Sequence, residues 1–313
     1  MTENPKVVED VESGVTVEFW GVRGSLPTPG PDTVRYGGNT SCVSLAFGTG
    51  EHLILDAGTG IRRLGEALSV EDGDLFILVS HRHWDHIQGF PFFAPLYQEN
   101  RRIYVFPVAK GRELFCSLIE QTDGAHFPIT PDALPADVSL IERDESRFLA
   151  KHGLDVSRIA VNHPGGSSGF RIVRSGASVV YIPDNELDPP DEPVVRMDEL
   201  IAFCARADVV IHDAQYLDSD MPMKRSTGYK TRPALGCVRG DLPRDVPSLA
   251  RVLPLACRRS SKPDGPPRGG APADRLPEAD SYPLGRRAQT GNARIPRASC
   301  PPDHAFRHGS CVD

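Results

Sequence analysis

The segment His81-Arg-His83-Trp-Asp85-His86 constrains the fold of this 313-residue chain more than any other. It follows Ile77-Leu-Val-Ser80, an apolar run that reads as the end of a buried strand. An extended backbone sends side chains two apart to the same side, so His81 and His83 can point the same way. Asp85 and His86 continue round the turn toward a neighbouring position. Three imidazoles and a carboxylate so close together suit a borderline-soft divalent ion, and zinc accepts N and O ligands at about 2.0–2.2 Å. Solvated histidine clusters exist, but four ligand-type residues capping an apolar strand seldom arise by chance.

From Val15 to about Tyr216, short strands alternate with helical stretches. The strand candidates are Val15–Trp20, Ser41–Phe47, His52–Asp56, Asp74–Val79, Arg102–Phe106, Ile159–Asn162, Phe170–Val173, Ser178–Ile182 and Val209–His212. Each is short, β-branched or aromatic, and bounded by Gly, Pro, Asp or Asn. Arg174-Ser-Gly-Ala177 predicts a hairpin turn. Helices are expected at Ile61–Leu68, around Lys110–Gln121, and at Val195–Ala205, where Val195, Glu199, Leu200 and Phe203 mark one face. The residues themselves reach an α/β class.

The cluster continues as His83-Trp-Asp-His-Ile-Gln-Gly-Phe-Pro-Phe-Phe93, and here the chain resembles the metallo-β-lactamase-fold metallo-hydrolases. The likeness is to a branch near ribonuclease Z and cyclic-nucleotide phosphodiesterases, and covers roughly Val15 to Tyr216. It implies an αβ/βα sandwich of two mixed sheets with outer helices. Leu53-Ile-Leu-Asp-Ala-Gly-Thr-Gly60 resembles the family's first motif, whose Asp56 orients the metal loop without binding metal. Asn162-His-Pro-Gly-Gly-Ser167 resembles the third and implies His163 as a ligand of the first metal. Tyr181-Ile-Pro-Asp-Asn-Glu186 resembles the fourth and implies Asp184 as the carboxylate bridging two metals. Phe19-Trp-Gly-Val-Arg-Gly-Ser-Leu-Pro-Thr-Pro29 and Arg35-Tyr-Gly-Gly-Asn-Thr-Ser-Cys42 resemble the opening hairpin of the phosphodiesterase branch. Ile211-His-Asp-Ala-Gln-Tyr216 resembles a segment that orders the second metal region, so His212 and Asp213 are candidates for positioning or acid/base work.

Beyond about Arg225 the character changes. Up to that point the chain carries roughly 20 Lys and Arg against 34 Asp and Glu, about −14, and the rest roughly 15 against 8, about +7. Runs such as Pro263-Asp-Gly-Pro-Pro-Arg-Gly-Gly-Ala-Pro272 hold no regular period, and four of the seven cysteines fall in this part. This composition looks like out-of-frame translation of a GC-rich gene. The expected organisation is a flexible lead over 1–14, a hydrolase domain over 15–225 and an irregular tail over 226–313, with the C-terminal part of the fold incomplete. Where relatives carry a Gly-His-Ser-type motif, this chain reads Lys224-Arg-Ser-Thr-Gly-Tyr-Lys-Thr231. The next histidines, His304 and His308, are not assigned as ligands, which leaves the second metal one protein ligand short.

The resemblance implies two divalent ions, zinc with manganese as the alternative, held by His81, His83, Asp85, His86, His163 and Asp184. Asp85 and His212 are the candidate catalytic residues, His212 substituting for a missing proton donor. The expected activity is phosphodiester hydrolysis, on a cyclic nucleotide or an RNA 3′ end. Thioester or lactone hydrolysis is one alternative, and an inactive, truncated or frameshifted metal-binding homologue is another. The seven cysteines, odd in number and without a C-x-x-C pair, disfavour a disulfide framework. With no leader-like N-terminus and no long apolar run, a cytoplasmic address without membrane contact is expected. A homodimer is left open, and the acidic body argues against a general nucleic-acid patch.

Overall fold

The computed structural model describes residues 7–11, 14–106, 117–141, 144–187, 189, 192–213 and 251–252. Seven strands form the first sheet in sequence order: β1 (Val7–Val11), β2 (Val15–Gly21), β3 (Cys42–Ala46), β4 (His52–Leu55), β5 (Leu75–Leu78), β6 (Arg102–Phe106) and β7 (Asp137–Leu140). Pairing is antiparallel from β1 to β4 and parallel from β4 to β7. The second sheet holds β8 (Asp155–Val161), β9 (Ser167–Arg174), β10 (Ala177–Ile182), β11 (Val209–His212) and the short β12 (Arg251–Val252). Its order is β12-β11-β10-β9-β8, antiparallel through β8, β9 and β10 and parallel through β10, β11 and β12. Both sheets are therefore mixed.

The continuous apolar runs of β4 and β5 follow from burial on both faces. Leu53, Leu55, Phe76 and Leu78 face the layer between the sheets, where they meet Phe170, Ile172, Val179, Tyr181 and Ile211. The alternate residues Ile54, Leu75 and Ile77 face outward and pack under Ile61, Leu64 and Leu68 of α1 (Ile61–Leu68). Those three lie at helical spacing, so one stripe of α1 covers the first sheet. The second sheet is covered in the same way: Val180, Ile182 and Val210 lie in one cluster with Val195 and Leu200. Among the described residues, further helices are α2 (Trp84–Ile87), α3 (Glu145–Lys151) and α4 (Met197–Cys204), the last of which carries Leu200. Helix, sheet, sheet, helix is the expected αβ/βα sandwich.

Most expected elements lie within a residue or two of their observed bounds. The β9–β10 hairpin turns on Ser175 (φ 51°) and Gly176 (φ 89°), the paired positive φ angles of a type I′ turn. Four elements differ from expectation. Val7–Val11 lies inside the stretch read as a flexible lead, yet pairs with β2 after a turn at Gly14 (φ 76°), because β2 would otherwise end the sheet with an unpaired edge. Strand β7 and helix α3 were not expected, being four and seven residues long. Helix α3 is held by tertiary contacts: Leu149 is buried in the inter-sheet layer and Glu145 pairs with Arg158. Arg251–Val252, within the expected irregular tail, pairs with Val209 and Val210 at the β11 edge. Most of the helix expected around Lys110–Gln121, the Lys224–Thr231 stretch, His304, His308 and the four tail cysteines lie outside the described residues. Among the described residues, Cys42 and Cys204 are free thiols, and no helix is long and apolar enough to cross a membrane.

Phe170 is fully buried between the sheets, with the Arg158 guanidinium 5.4 Å from its ring centre. Phe170→Ala is expected to lower unfolding stability by about 3–5 kcal/mol. Urea denaturation measures this, and a loss below about 1 kcal/mol would contradict the inter-sheet placement.

Candidate metal centre

Strand β4 ends at Asp56, whose φ of 62° turns the chain sharply out of the sheet. The carboxylate is fully buried and accepts four hydrogen bonds. Ser80 donates its backbone N–H (2.7 Å) and its hydroxyl (3.0 Å). His86 Nδ1 approaches at 2.8 Å, and the Tyr181 hydroxyl donates from the other sheet at 2.6 Å. Burial and the neighbouring Asp56 carboxylate hold the Tyr181 phenol protonated, as its donor role requires. Three of these bonds fall on Oδ2 and one on Oδ1. Asp56 lies in neither cluster of ligand-type residues found among the described residues, in keeping with the orienting role that the first motif implies.

Strand β5 delivers Ser80 and then the metal loop. Ser80 Oγ lies 3.0 Å from His81 Nδ1, and Ser167 Oγ from β9 lies 3.3 Å from the same nitrogen. With the Ser80 hydroxyl proton on Asp56, His81 Nδ1–H is the donor, and Nε2 keeps its lone pair. The same logic applies to His86: its Nδ1 proton sits on Asp56, and Nε2 faces Asp85 Oδ2 at 3.5 Å and Asp184 Oδ2 at 3.4 Å. Asp85 is held in turn by the Ser25 backbone N–H at 2.7 Å.

The second sheet supplies the other ligand candidates. His163 follows β8 and Asp184 follows β10, where Asp184 adopts φ 43°, again a left-handed strand exit. Asn162 links these two loops: its side chain bonds the Glu186 and Val195 carbonyls, and its backbone N–H bonds Asn185 Oδ1. His81 Nε2 and His163 Nε2 each lie 3.0 Å from His83 Nδ1. One imidazole nitrogen cannot satisfy two such neighbours with a single proton. Ligands placed tetrahedrally at zinc distances lie roughly 3.3 Å apart, close to this spacing.

Asp184 Oδ2 lies 3.6 Å from His81 Nε2, 3.8 Å from His163 Nε2 and 3.4 Å from His86 Nε2. One oxygen therefore belongs to two groups of ligand-type atoms: His81, His83, His163 and Asp184, and Asp85, His86 and Asp184. Within each group the atoms lie within 4.8 Å of one another. Asp184 Oδ2 and His86 Nε2 are buried without a hydrogen-bond partner, which two adjacent cations would remove. The donor set fits the metals that the motif implies.

The electrostatics favour ligand protonation states at His81, His163 and Asp184, whereas His86 would shed a proton on taking a cation. Burial, with the nearby His86, drives His81 far below the ordinary imidazole range, and burial lowers His163 to about 4. Both are neutral near pH 7. Burial opposes charge on His86 as well, but the Asp56 and Asp184 carboxylates outweigh it and raise its pKa well above normal. Burial alone would raise Asp184; the surrounding imidazoles hold it ionised instead.

All six expected ligands thus converge. His212, expected as the proton donor, lies elsewhere. Its Nδ1 donates to the Asp213 carbonyl at 2.6 Å and its Nε2 accepts from Asn185 at 3.3 Å, so neither ring nitrogen is free for a leaving group. The ring is buried in neither ligand group, and ties the Asp184–Glu186 loop to the end of β11. Sequence reasoning assigned no role to Ser25, Ser80, Asn162, Ser167 or Tyr181. For Tyr181 a signal existed: strand alternation puts it on the inner face of β10 with Val179, three residues before Asp184.

The family model described as "Beta-lactamase superfamily domain" matches residues 52–238. The chain belongs to the beta-lactamase superfamily. The match takes in every expected ligand and runs past residue 225, the expected domain end. No curated protein matches. This superfamily hydrolase is similar in structure to the metallo-beta-lactamase fold protein YhfI from Bacillus subtilis, with 18% identity, 71% of this chain and 78% of that one covered, and a TM-score of 0.48. Similarity extends to human tRNase Z, short form (20% identity, 71% and 86% covered, TM-score 0.47). Zinc-bound PqqB from Methylobacterium extorquens is a third (18% identity, 61% and 66% covered, TM-score 0.40).

Two predictions follow from the wiring. Asp56→Ala strips partners from His86, Ser80 and Tyr181 and is expected to cost about 3–5 kcal/mol of stability. It should also weaken zinc at least 10-fold; denaturation and competition with a chromogenic chelator measure the two. His212, held neutral by burial, has its pKa lowered from 6.5 to about 4, so the unfolded chain binds the extra proton between those values. Its stabilising contribution is present above pH 6.5 and lost as pH falls toward 4, a change on the order of 3 kcal/mol. A stability–pH slope in His212→Gln as steep as in wild type would refute this.

Proposed function

We propose that this superfamily hydrolase cleaves phosphodiesters with two divalent ions, zinc or manganese, on a cyclic-nucleotide or RNA 3′-end type substrate. His81, His83, His163 and Asp184 would hold one ion, and Asp85, His86 and Asp184 the other. The observation that carries the reading is Asp184 Oδ2, a single oxygen common to two ligand groups. Two ligand groups joined by one carboxylate residue suit a substrate whose two non-bridging oxygens share a negative charge, and the His83–Phe93 segment resembles the phosphodiesterase branch. When bound, such ions lower the pKa of a water from 15.7 toward about 7 and offset charge developing on the phosphoryl group.

The chain's own residues set the geometry for this. Asp56 and Ser80 accept the Nδ1 protons of His86 and His81, so neutral His81 presents its Nε2 lone pair inward and His86 would do so once a cation displaces its second ring proton. Ser25 holds Asp85 from outside, restricting its carboxylate to the cluster. Buried, neutral His81 and His163 need lose no proton near pH 7 to act as ligands.

Purified protein is expected to carry about two ions per chain by elemental analysis and to hydrolyse bis(p-nitrophenyl) phosphate with Zn²⁺ or Mn²⁺. Asp85→Ala is expected to reduce that rate at least 100-fold. An Asp85→Ala variant as active as wild type would sink the proposal. Turnover of an aryl thioester or lactone, with none of the phosphodiester, would replace it with the second reading.

A further inference from the structure

The four-residue helix α2 buries Asp85, His86 and Ile87 and leaves Trp84 67% exposed. Its backbone is fixed: His83 precedes it in an extended conformation (ψ 149°), and its carbonyl accepts from the Gln88 N–H at 2.7 Å. Trp84 stands between His83, in one ligand group, and Asp85, in the other. Fully burying a large apolar side chain is favourable by about 1.5–3 kcal/mol, a gain mostly forgone here.

A second exposed apolar side chain follows the residue that holds Asp85. Leu26 is also 67% exposed, and follows Ser25, the residue that donates its N–H to Asp85. Ser25 has φ 64°, and the Leu26 N–H bonds the Gly24 carbonyl at 2.8 Å across it, the rare and strained form of γ-turn. The Thr28 hydroxyl caps the Leu26 carbonyl at 3.0 Å. Trp84 and Leu26 are each next in sequence to a partner in the same 2.7 Å hydrogen bond, Trp84 to Asp85 of the cluster and Leu26 to Ser25, which holds it. Isolated surface hydrophobics need no explanation, but two held by fixed backbone beside the most charge-dense site do.

We propose that Trp84, flanked by Leu26, is a stacking platform for the nucleobase next to the scissile phosphate, and so sets the substrate class as nucleotide phosphodiesters. This rests on the phosphodiester reading above. The cluster takes the anionic phosphate, and the indole face, one residue away, takes the flat apolar ring attached to it. Every base offers a π-face, so the platform selects for a base over an alkyl group without choosing among bases. Trp84 touches the part of the substrate that does not react, and is a specificity residue.

The test uses two substrates with one leaving group: thymidine 5′-(p-nitrophenyl phosphate) and methyl p-nitrophenyl phosphate, on the metal-loaded full chain. In Trp84→Ala the ratio of kcat/KM values, thymidine over methyl, is expected to fall about 5-fold or more, the range of a lost base stack. Trp84→Phe should retain most of the ratio, and Leu26→Ala should lower it by less. A ratio unchanged in Trp84→Ala overturns the proposal. Binding gives a readout that needs no turnover. The chain has two tryptophans, and Trp20 donates its ring N–H to Ser44 within the first sheet. Thymidine 5′-monophosphate should quench wild-type tryptophan emission, inorganic phosphate should not, and the quench should vanish in Trp84→Phe. Persistence of the quench in Trp84→Phe assigns it to Trp20 and overturns the platform. Quenching through Trp84 without any phosphodiester turnover would leave the platform standing and reject the phosphodiesterase reading.

Discussion

The buried Asp56 carboxylate is the constraint on which the rest of the site depends. A charge withdrawn from water must be fully compensated by donors, and here the donors come from three places: Ser80 at the end of β5, His86 on α2 and Tyr181 on β10. Satisfying that one group joins the two sheets, closes the metal loop onto its strand and chooses the tautomer of His86. The requirement is electrostatic and local, but its consequence is the relative placement of Asp85, His86 and Asp184. A tyrosine whose hydroxyl had no partner between the sheets would itself be costly, so Tyr181 and Asp56 each account for the burial of the other.

The two carboxylates with different roles share a backbone device. Asp56 and Asp184 both leave their strands through positive φ, at 62° and 43°. A left-handed exit turns the chain at once, so the carboxylate stays at the strand end beside its neighbours. Asp56 meets four protein hydrogen bonds there; Asp184 meets imidazoles, and one of its oxygens has no hydrogen-bond partner. Close packing around this end is made possible by Gly58, where a Cβ would lie 2.3 Å from the Asp85 carbonyl oxygen and 2.5 Å from Thr40 Oγ1. The loop after β4 can therefore rest directly on the metal loop.

Much of the fold was legible because β4, β5, β6, β10 and β11 are buried on both faces or nearly so, which writes them as uninterrupted apolar runs. Strand β7 and helix α3 were not legible because they are short and polar and owe their form to what they pack on. The ligands were legible for a different reason. Metal chemistry demands particular atoms, so His81, His83, Asp85 and His86 announce themselves within one segment, and His163 and Asp184 through their motifs. The hydrogen-bonding partners are ordinary Ser, Tyr and Asn residues, for which chemistry leaves many uses. His212 shows the converse error: a strand-end histidine beside an aspartate reads as acid/base machinery, yet both its nitrogens are engaged by Asp213 and Asn185.

The sequence by itself determined the α/β class and the ligand chemistry of the His81–His86 segment, since hydrophobic period and donor chemistry are properties of residues in order. The sandwich layers and the roles of His163 and Asp184 were implied by resemblance. Only the tertiary structure decided that Asp184 is common to both ligand groups, that Asp56 takes four protein hydrogen bonds, that His212 is occupied and that Trp84 and Leu26 are exposed. Each of these depends on distances between strands and loops that meet from opposite sheets. Such distances are set by how the two sheets pack, and packing is a property of the assembled core that no single segment carries.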